Sequence, residues 1–230
     1  MRIISNDKLI KRNGRIGNIT SLASIVVLGA GMVLSFTDKD GSKIPYTFAA
    51  LIVGFLMFQV GNFFMSKWGK SPRPDELISS ALKGLDDKYT LYHYTTPVSH
   101  LLVGPSGVHC LVPLNQAGEI TYDELRQRWK HKGGNFFMKT FGGESLGRPE
   151  NEVRYTLGDA AKLLKDKSIS IDPFVPEAVL VFTNPKAELS GEDSPVQALQ
   201  AAKLKEFIRK KAKEKLFPVN LIKQFEEKVG

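Results

Sequence analysis

Cysteine is nearly absent from these 230 residues. Cys110 stands alone, so no disulfide can close within the chain, and a reducing compartment is the expected setting. A single thiol in an apolar stretch is read as packing rather than as a nucleophile. Histidine is scarce too: His93, His100, His109 and His131 follow no zinc-ligand spacing and are read as structural, so no metal site is expected. Gly142-Gly143 is not followed by Gly-Lys-Ser/Thr, which excludes a phosphate-cradling P-loop. Gly143-Glu144-Ser145-Leu146-Gly147 matches the Gly-x-Ser-x-Gly string, but Pro149 delays the following helix and every histidine precedes Ser145. That order excludes a nucleophile elbow and leaves a glycine loop. Repeats and low-complexity tracts are also missing. Acid is in deficit, 24 Asp and Glu against 32 Lys and Arg, for a net charge of +8 and a sequence pI of about 9.4. That balance suits anionic partners, nucleic acid or lipid headgroups, and does not choose between them.

Charge is missing altogether from two long runs, residues 19–36 and 44–65. At ~1.5 Å of rise per residue the first reaches ~27 Å as a helix, enough to cross a bilayer's hydrocarbon core. The first run is long for a cleaved leader, has no small-x-small site after Phe36, and a second apolar run follows directly. The reading is a two-helix transmembrane hairpin, residues 19–70, after a basic arm, residues 1–18. Five Lys or Arg lie in that arm, and Lys67, Lys70 and Arg73 follow the second helix, whereas the link holds two Lys and two Asp. The positive-inside rule then places both ends, and the domain that follows, in the cytoplasm of a multi-pass cell-membrane protein. Gly31 and Ser35 offer a small-xxx-small face, and Gln59 and Asn62 add polar groups for helix–helix contact.

Past the linker Ser71-Pro72-Arg73-Pro74, residues 71–216 read as one α/β domain, with a last amphipathic helix over 217–230. Helical periodicity covers 75–85 (Leu77, Ile78, Ala81, Leu82, Leu85), opened by Asp75 and Glu76, where negative charge favours the helix dipole. Alternation predicts a strand over 89–94. Two short apolar strands follow, 101–103 and 108–112, joined at Gly104-Pro105-Ser106-Gly107, and the second is apolar on both faces as a central strand should be. Further strands are expected at 119–122 and 177–183, while 196–199 reads either as a helix started by Pro195 or as a short strand. A helix led by Pro149 reaches about Lys165, and a strongly basic one covers 203–215. That basic helix reads as a solvated face, a headgroup contact or a nucleic-acid contact.

The segment from Pro97 to Ile120 resembles the heart of the nuclease-related (NERD) domain family, a branch of the restriction-endonuclease-like fold. The turn Gly104-Pro105-Ser106-Gly107, the later Gly118-Glu119-Ile120, Glu76 at the first helix and the Pro149-led helix all fit its pattern over roughly residues 75–213. The resemblance implies a restriction-endonuclease-like α-β-α core. It also implies an Asp, a Glu and a Lys at three catalytic positions, which here hold Ser99, Val112 and Leu114, while the acidic Glu76 is retained. Neither Val112 nor Leu114 offers a side-chain ligand or a charge, so no Mg²⁺ and no other cofactor is expected. The function implied is a membrane-anchored, catalytically inactive nuclease-related module that binds nucleic acid or a protein partner. Two alternatives stay open. One is an active Mg²⁺-dependent nuclease whose carboxylates have migrated, with Glu76, Glu119 and Asp123 as candidates. The other is a structural membrane adaptor whose basic surface meets lipid.

One basic constellation stands out. Read as a strand, residues 126–132 place Arg126, Arg128, Lys130 and Lys132 on one face and Gln127, Trp129 and His131 on the other, with Gly133-Gly134 turning into a partner strand over 135–141. Four cations in a row can track a phosphate backbone. They can equally protect a sheet edge from aggregation.

Overall fold

The computed structural model describes residues 1–133, 146–191, 193–214 and 216–229. The chain falls into two units. Of the described residues, one unit comprises 7–73; the other takes in 1–6, 74–133 and those from 146 onward.

The helical unit contains α1 (Asp7–Thr37) and α2 (Ile44–Phe64), then one wide π-helical turn, Met65–Gly69. Both helices are long and apolar enough to cross a membrane. Their large side chains face outward: Ile19, Leu22, Ile25 and Val26 on α1, and Phe48, Ile52 and Leu56 on α2, are all exposed. Beyond Ile10 and Asn13 at the start of α1, the buried residues of both helices are small. On α1, Gly17, Ser24 and Gly31 are buried at seven-residue spacing, as are Gly54 and Gly61 on α2. A Cβ on Gly54 would stand 2.7 Å from Leu28, and one on Gly61 2.8 Å from the Ser21 nitrogen, so glycine sets how closely the helices approach. A seven-residue repeat keeps one seam facing the partner helix. Ser35, expected on this seam, is exposed; it lies four residues beyond Gly31, whereas the seam advances by seven.

The α/β unit is built on a six-stranded sheet of order β1-β2-β3-β4-β7-β9. Its strands are β1 (Arg2–Ser5), β2 (Thr90–His93), β3 (His100–Gly104), β4 (Gly107–Leu114), β7 (Glu177–Phe182) and β9 (Gln197–Gln200). Only β3 runs against the others. Helices α3 (Pro74–Ala81) and α5 (Ala201–Glu214) cover one face through Ile78, Leu82, Leu204 and Ile208 against Leu91, Leu102, Leu111 and Val179. Helices α4 (Pro149–Asp166) and α6 (Val219–Val229) cover the other through Ala160, Leu163, Ile222 and Phe225 against Tyr92, Leu101, Val103 and Cys110. The expected central strand is therefore β4, buried almost throughout. Gly107 takes φ +113 in its turn, and a Cβ at Gly104 would collide with the Tyr89 ring.

A smaller sheet, order β6-β5-β8, pairs β5 (Gly118–Asp123) with β6 (Arg128–Lys132) and β8 (Ala187–Ser190). Its apolar face, Ile120 and Trp129, joins a third cluster with Val112, Leu114, Val153 and Phe182.

Two features differ from the sequence reading. The basic arm, residues 1–18, holds structure that was not assigned from sequence: Arg2–Ser5 pairs in parallel with Thr90–His93, and α1 begins at Asp7. Neither is locally signalled, because the strand is four residues long and its partner lies 88 positions away. The basic strand is shorter than expected. It starts at Arg128, with Arg126 and Gln127 in the preceding turn and Gln127 at φ +50. Its expected partner strand, 135–141, lies outside the described residues, as does most of the Gly142–Gly147 loop.

Candidate functional site

The β3–β4 register brings the three substituted positions to one end of the main sheet. Leu101 pairs with Cys110, so Ser99, one residue before β3, lies beside the C-terminal end of β4, where Val112 and Leu114 sit. Ser99 is exposed, and its carbonyl accepts the Tyr94 N–H at 2.9 Å. Val112 and Leu114 are 6% exposed and packed with Val153, Leu180 and Phe182. A carboxylate and an ammonium at these positions would have to be accommodated inside an apolar cluster, at a desolvation cost these side chains avoid.

On the α3 face of the same sheet lies a cluster that periodicity alone did not reveal. His93 and His100 are directly opposed in the β2–β3 register, and their Nδ1 atoms approach to 2.8 Å. Ser79 on α3 places its hydroxyl 2.9 Å from His93 Nε2. Only one proton fits between the two facing nitrogens. If His93 donates it, His93 Nε2 accepts from Ser79; if His100 donates, His93 Nε2–H donates to Ser79. Both rings are buried, so this network pins α3 to β2 and β3. The clue available in sequence was two histidines flanking a strand-to-strand link, but nothing in the sequence fixed the register that opposes them.

Glu76 lies in the first turn of α3 beside the buried Asp75. Glu119 and Asp123, the other candidate migrated carboxylates, sit on β5 and face the basic ladder. Lys130 Nζ is 2.6 Å from Asp123, Arg126 Nε is 3.9 Å from the same carboxylate, and Lys132 Nζ is 3.8 Å from Glu119. The hydrogen bond from Lys130 holds the Asp123 carboxyl below its usual range. Arg128, Lys130 and Lys132 do share the exposed face of β6, as alternation requires, while Trp129 is buried and His131 Nε2 donates to the Ala117 carbonyl at 2.7 Å. Carboxylates of β5 thus meet three of the four cations, Lys130 and Lys132 across the strand pair and Arg126 within the turn.

At the far end of β4, His109 is buried, and Nε2–H donates to the Ser106 carbonyl. Its Nδ1 stands 4.0 Å from Glu177, which also receives Lys211 at 3.2 Å. Burial outweighs the carboxylate and depresses the imidazole pKa to about 4. Burial likewise pushes the Cys110 thiol up to about 12, so it stays protonated and inert. Two cations of α5 are engaged structurally: Lys205 and Arg209 donate to the carbonyls of Lys83 and Gly84, just past α3.

A cleft of about 820 Å³ lies along β9, which stands at one end of the main sheet among the described residues. Trp129, Val153 and Leu157 form its apolar side, and Gln197, Lys203 and Lys211 its polar side. Gly191 is required there, since a Cβ would stand 2.6 Å from the Trp129 ring. No family model, curated protein or solved structure matches this chain.

Proposed function

We propose that this protein is a membrane-anchored binding module carrying a restriction-endonuclease-like scaffold without nuclease chemistry. The observation that carries the reading is that Val112 and Leu114 are absorbed into the apolar core at the sheet end where the resemblance requires a carboxylate and a lysine. The order α3-β2-β3-β4, followed after the β5–β6 pair by α4-β7, with β3 alone reversed in the main sheet and β4 parallel to β7, supports the scaffold half of the proposal. The binding half rests on the β9 cleft, which joins a strand at the end of the main sheet, with no further strand beside it in that sheet among the described residues, to an apolar wall. An extended segment of a protein partner fits such a site by adding a strand. Nucleic acid is the less favoured ligand because the ladder cations already meet Asp123 and Glu119.

Anchoring rests on the two outward-apolar helices. The chain leaves the main sheet after β1 and returns to the same unit at α3, so an even number of crossings lies between. Two crossings make a hairpin, and the Lys/Arg bias of its flanks puts the α/β unit in the cytoplasm.

The test is a cleavage assay on the full chain in detergent, with plasmid, single-stranded DNA and RNA, in Mg²⁺ and in Mn²⁺. The expected result is no cleavage. Cleavage that disappears in Glu76→Ala or Glu119→Ala would replace this reading with a nuclease whose site has migrated.

A further inference from the structure

We propose that the end of the helical unit formed by the start of α1 and the turn after α2 is a binding surface for anionic phospholipid headgroups; this rests on the membrane reading above. Helix α1 is 31 residues long, about 47 Å at ~1.5 Å per residue, against a hydrocarbon core of about 30 Å. The excess lies at its start, where Lys8, Lys11, Arg12 and Arg15 are all exposed. Their spacing of three, four and seven puts them on one stripe of the helix. The opposite stripe, Ile10, Asn13 and Gly17, is buried. The four cations therefore point away from α2 into the surroundings.

The second helix ends at the same level. A Cβ on Gly14 would stand 2.8 Å from the Trp68 carbonyl, and one on Gly17 2.9 Å from Phe64, so glycines hold the start of α1 against the wide turn Met65–Gly69. That turn and its sequel add Lys67 and Lys70, both exposed. Lys67 Nζ lies 4.7 Å from the centre of the Phe63 ring, with its stem along an apolar surface and its charge at the rim. Six cations and one acid, Asp7, thus ring one end. The other end carries Asp38, Lys39, Asp40 and Lys43, which cancel; there Asp38 accepts the Lys43 N–H, and Lys43 Nζ reaches the Thr37 carbonyl. The collar joins concentrated positive charge directly to an exposed apolar belt that begins at Ile16 and Ile19. Anionic phospholipid, with a phosphate headgroup on an acyl chain, fits both parts at once.

Trp68 is a built-in reporter in the collar. The full chain is reconstituted in nanodiscs containing phosphatidylcholine brominated near the headgroup, or the same fraction of brominated phosphatidylglycerol. Wild type is measured beside Trp129→Phe, which leaves Trp68 as the sole indole. Stronger quenching by phosphatidylglycerol is expected, weakening as salt rises and reverting to the phosphatidylcholine level in Lys11→Ser/Arg12→Ser/Arg15→Ser. Each cation removed should lower the preference roughly fivefold at low salt. Equal quenching by the two lipids would overturn the headgroup site and leave the anchor standing. Absence of quenching by either would overturn the membrane reading itself.

Discussion

The helical unit and the α/β unit distribute the same residue types in opposite ways. In the helical unit most Ile, Leu and Phe side chains face outward, and the residues buried along the helix seam past Asn13 are Gly17, Ser24, Gly31, Gly54 and Gly61. In the α/β unit Leu91, Leu102, Leu111 and Leu180 are wholly buried, and the outward positions of β6 carry Arg and Lys. A large apolar side chain has nothing to gain from the interior when its surroundings are already apolar, so close backbone approach becomes the source of cohesion. Where the surroundings are water, removing leucine from it is the main driving force.

Truncation tests this contrast most strongly. Leu111→Ala should cost about 2–5 kcal/mol in denaturant unfolding of the α/β unit. Leu22→Ala, at 64% exposure on α1, should change the stability of the detergent-solubilised chain by less than about 0.5 kcal/mol. Equal costs would mean that Leu22 is packed against protein rather than turned outward.

Acid should weaken the α/β unit through a buried histidine. His109 is neutral when folded, with a pKa of about 4, but takes up a proton near 6.5 when unfolded. Its contribution is intact above 6.5 and is lost as pH falls toward 4, by up to about 3 kcal/mol. Melts of His109→Gln should flatten over that window. An unchanged pH profile would show that this ring is hydrated in the folded protein.

Overpacking should act in the helical unit. Gly54→Val would drive a side chain into Leu28 and should cost about 1–3 kcal/mol of helix pairing, read as lost disulfide trapping between cysteines placed at positions 24 and 58. Retained trapping would place the helix contact elsewhere.

Much of this was legible from residues alone, for reasons specific to each element. The two apolar helices, the β3–β4 turn and the Pro149 helix rest on local signals: uncharged length, Pro-Ser-Gly turn chemistry and 3.6-residue spacing. What failed to show depends on distant partners. Arg2–Ser5 becomes a strand only because Thr90–His93 offers an edge, and Ala187–Ser190 only because β5 does. The His93–His100 contact needs the register, and the neutralising of Lys130 needs Asp123 across the strand. The ladder was visible in sequence; its counter-charges were visible as residues but not as partners.

The smallest effect is expected on that ladder. Lys130→Ser/Lys132→Ser should alter stability by less than about 1 kcal/mol, as exposed ion pairs do, and leave nucleic-acid affinity unchanged. A fall of roughly 2 in the slope of log affinity against log salt would instead show that these cations neutralise phosphates.

The central claim, that the two units sit in different solvents with the α/β unit on one side of a bilayer, is tested most directly by thiol accessibility in intact cells. Native Cys110 is buried and held as a thiol, so single cysteines can be introduced at Ser42, in the turn between the helices, and at Lys88, on the α/β surface, without removing it. A membrane-impermeant maleimide should label Ser42→Cys in intact cells and Lys88→Cys only after permeabilisation. Labelling of both in intact cells, or of neither until the membrane is opened, would contradict the hairpin.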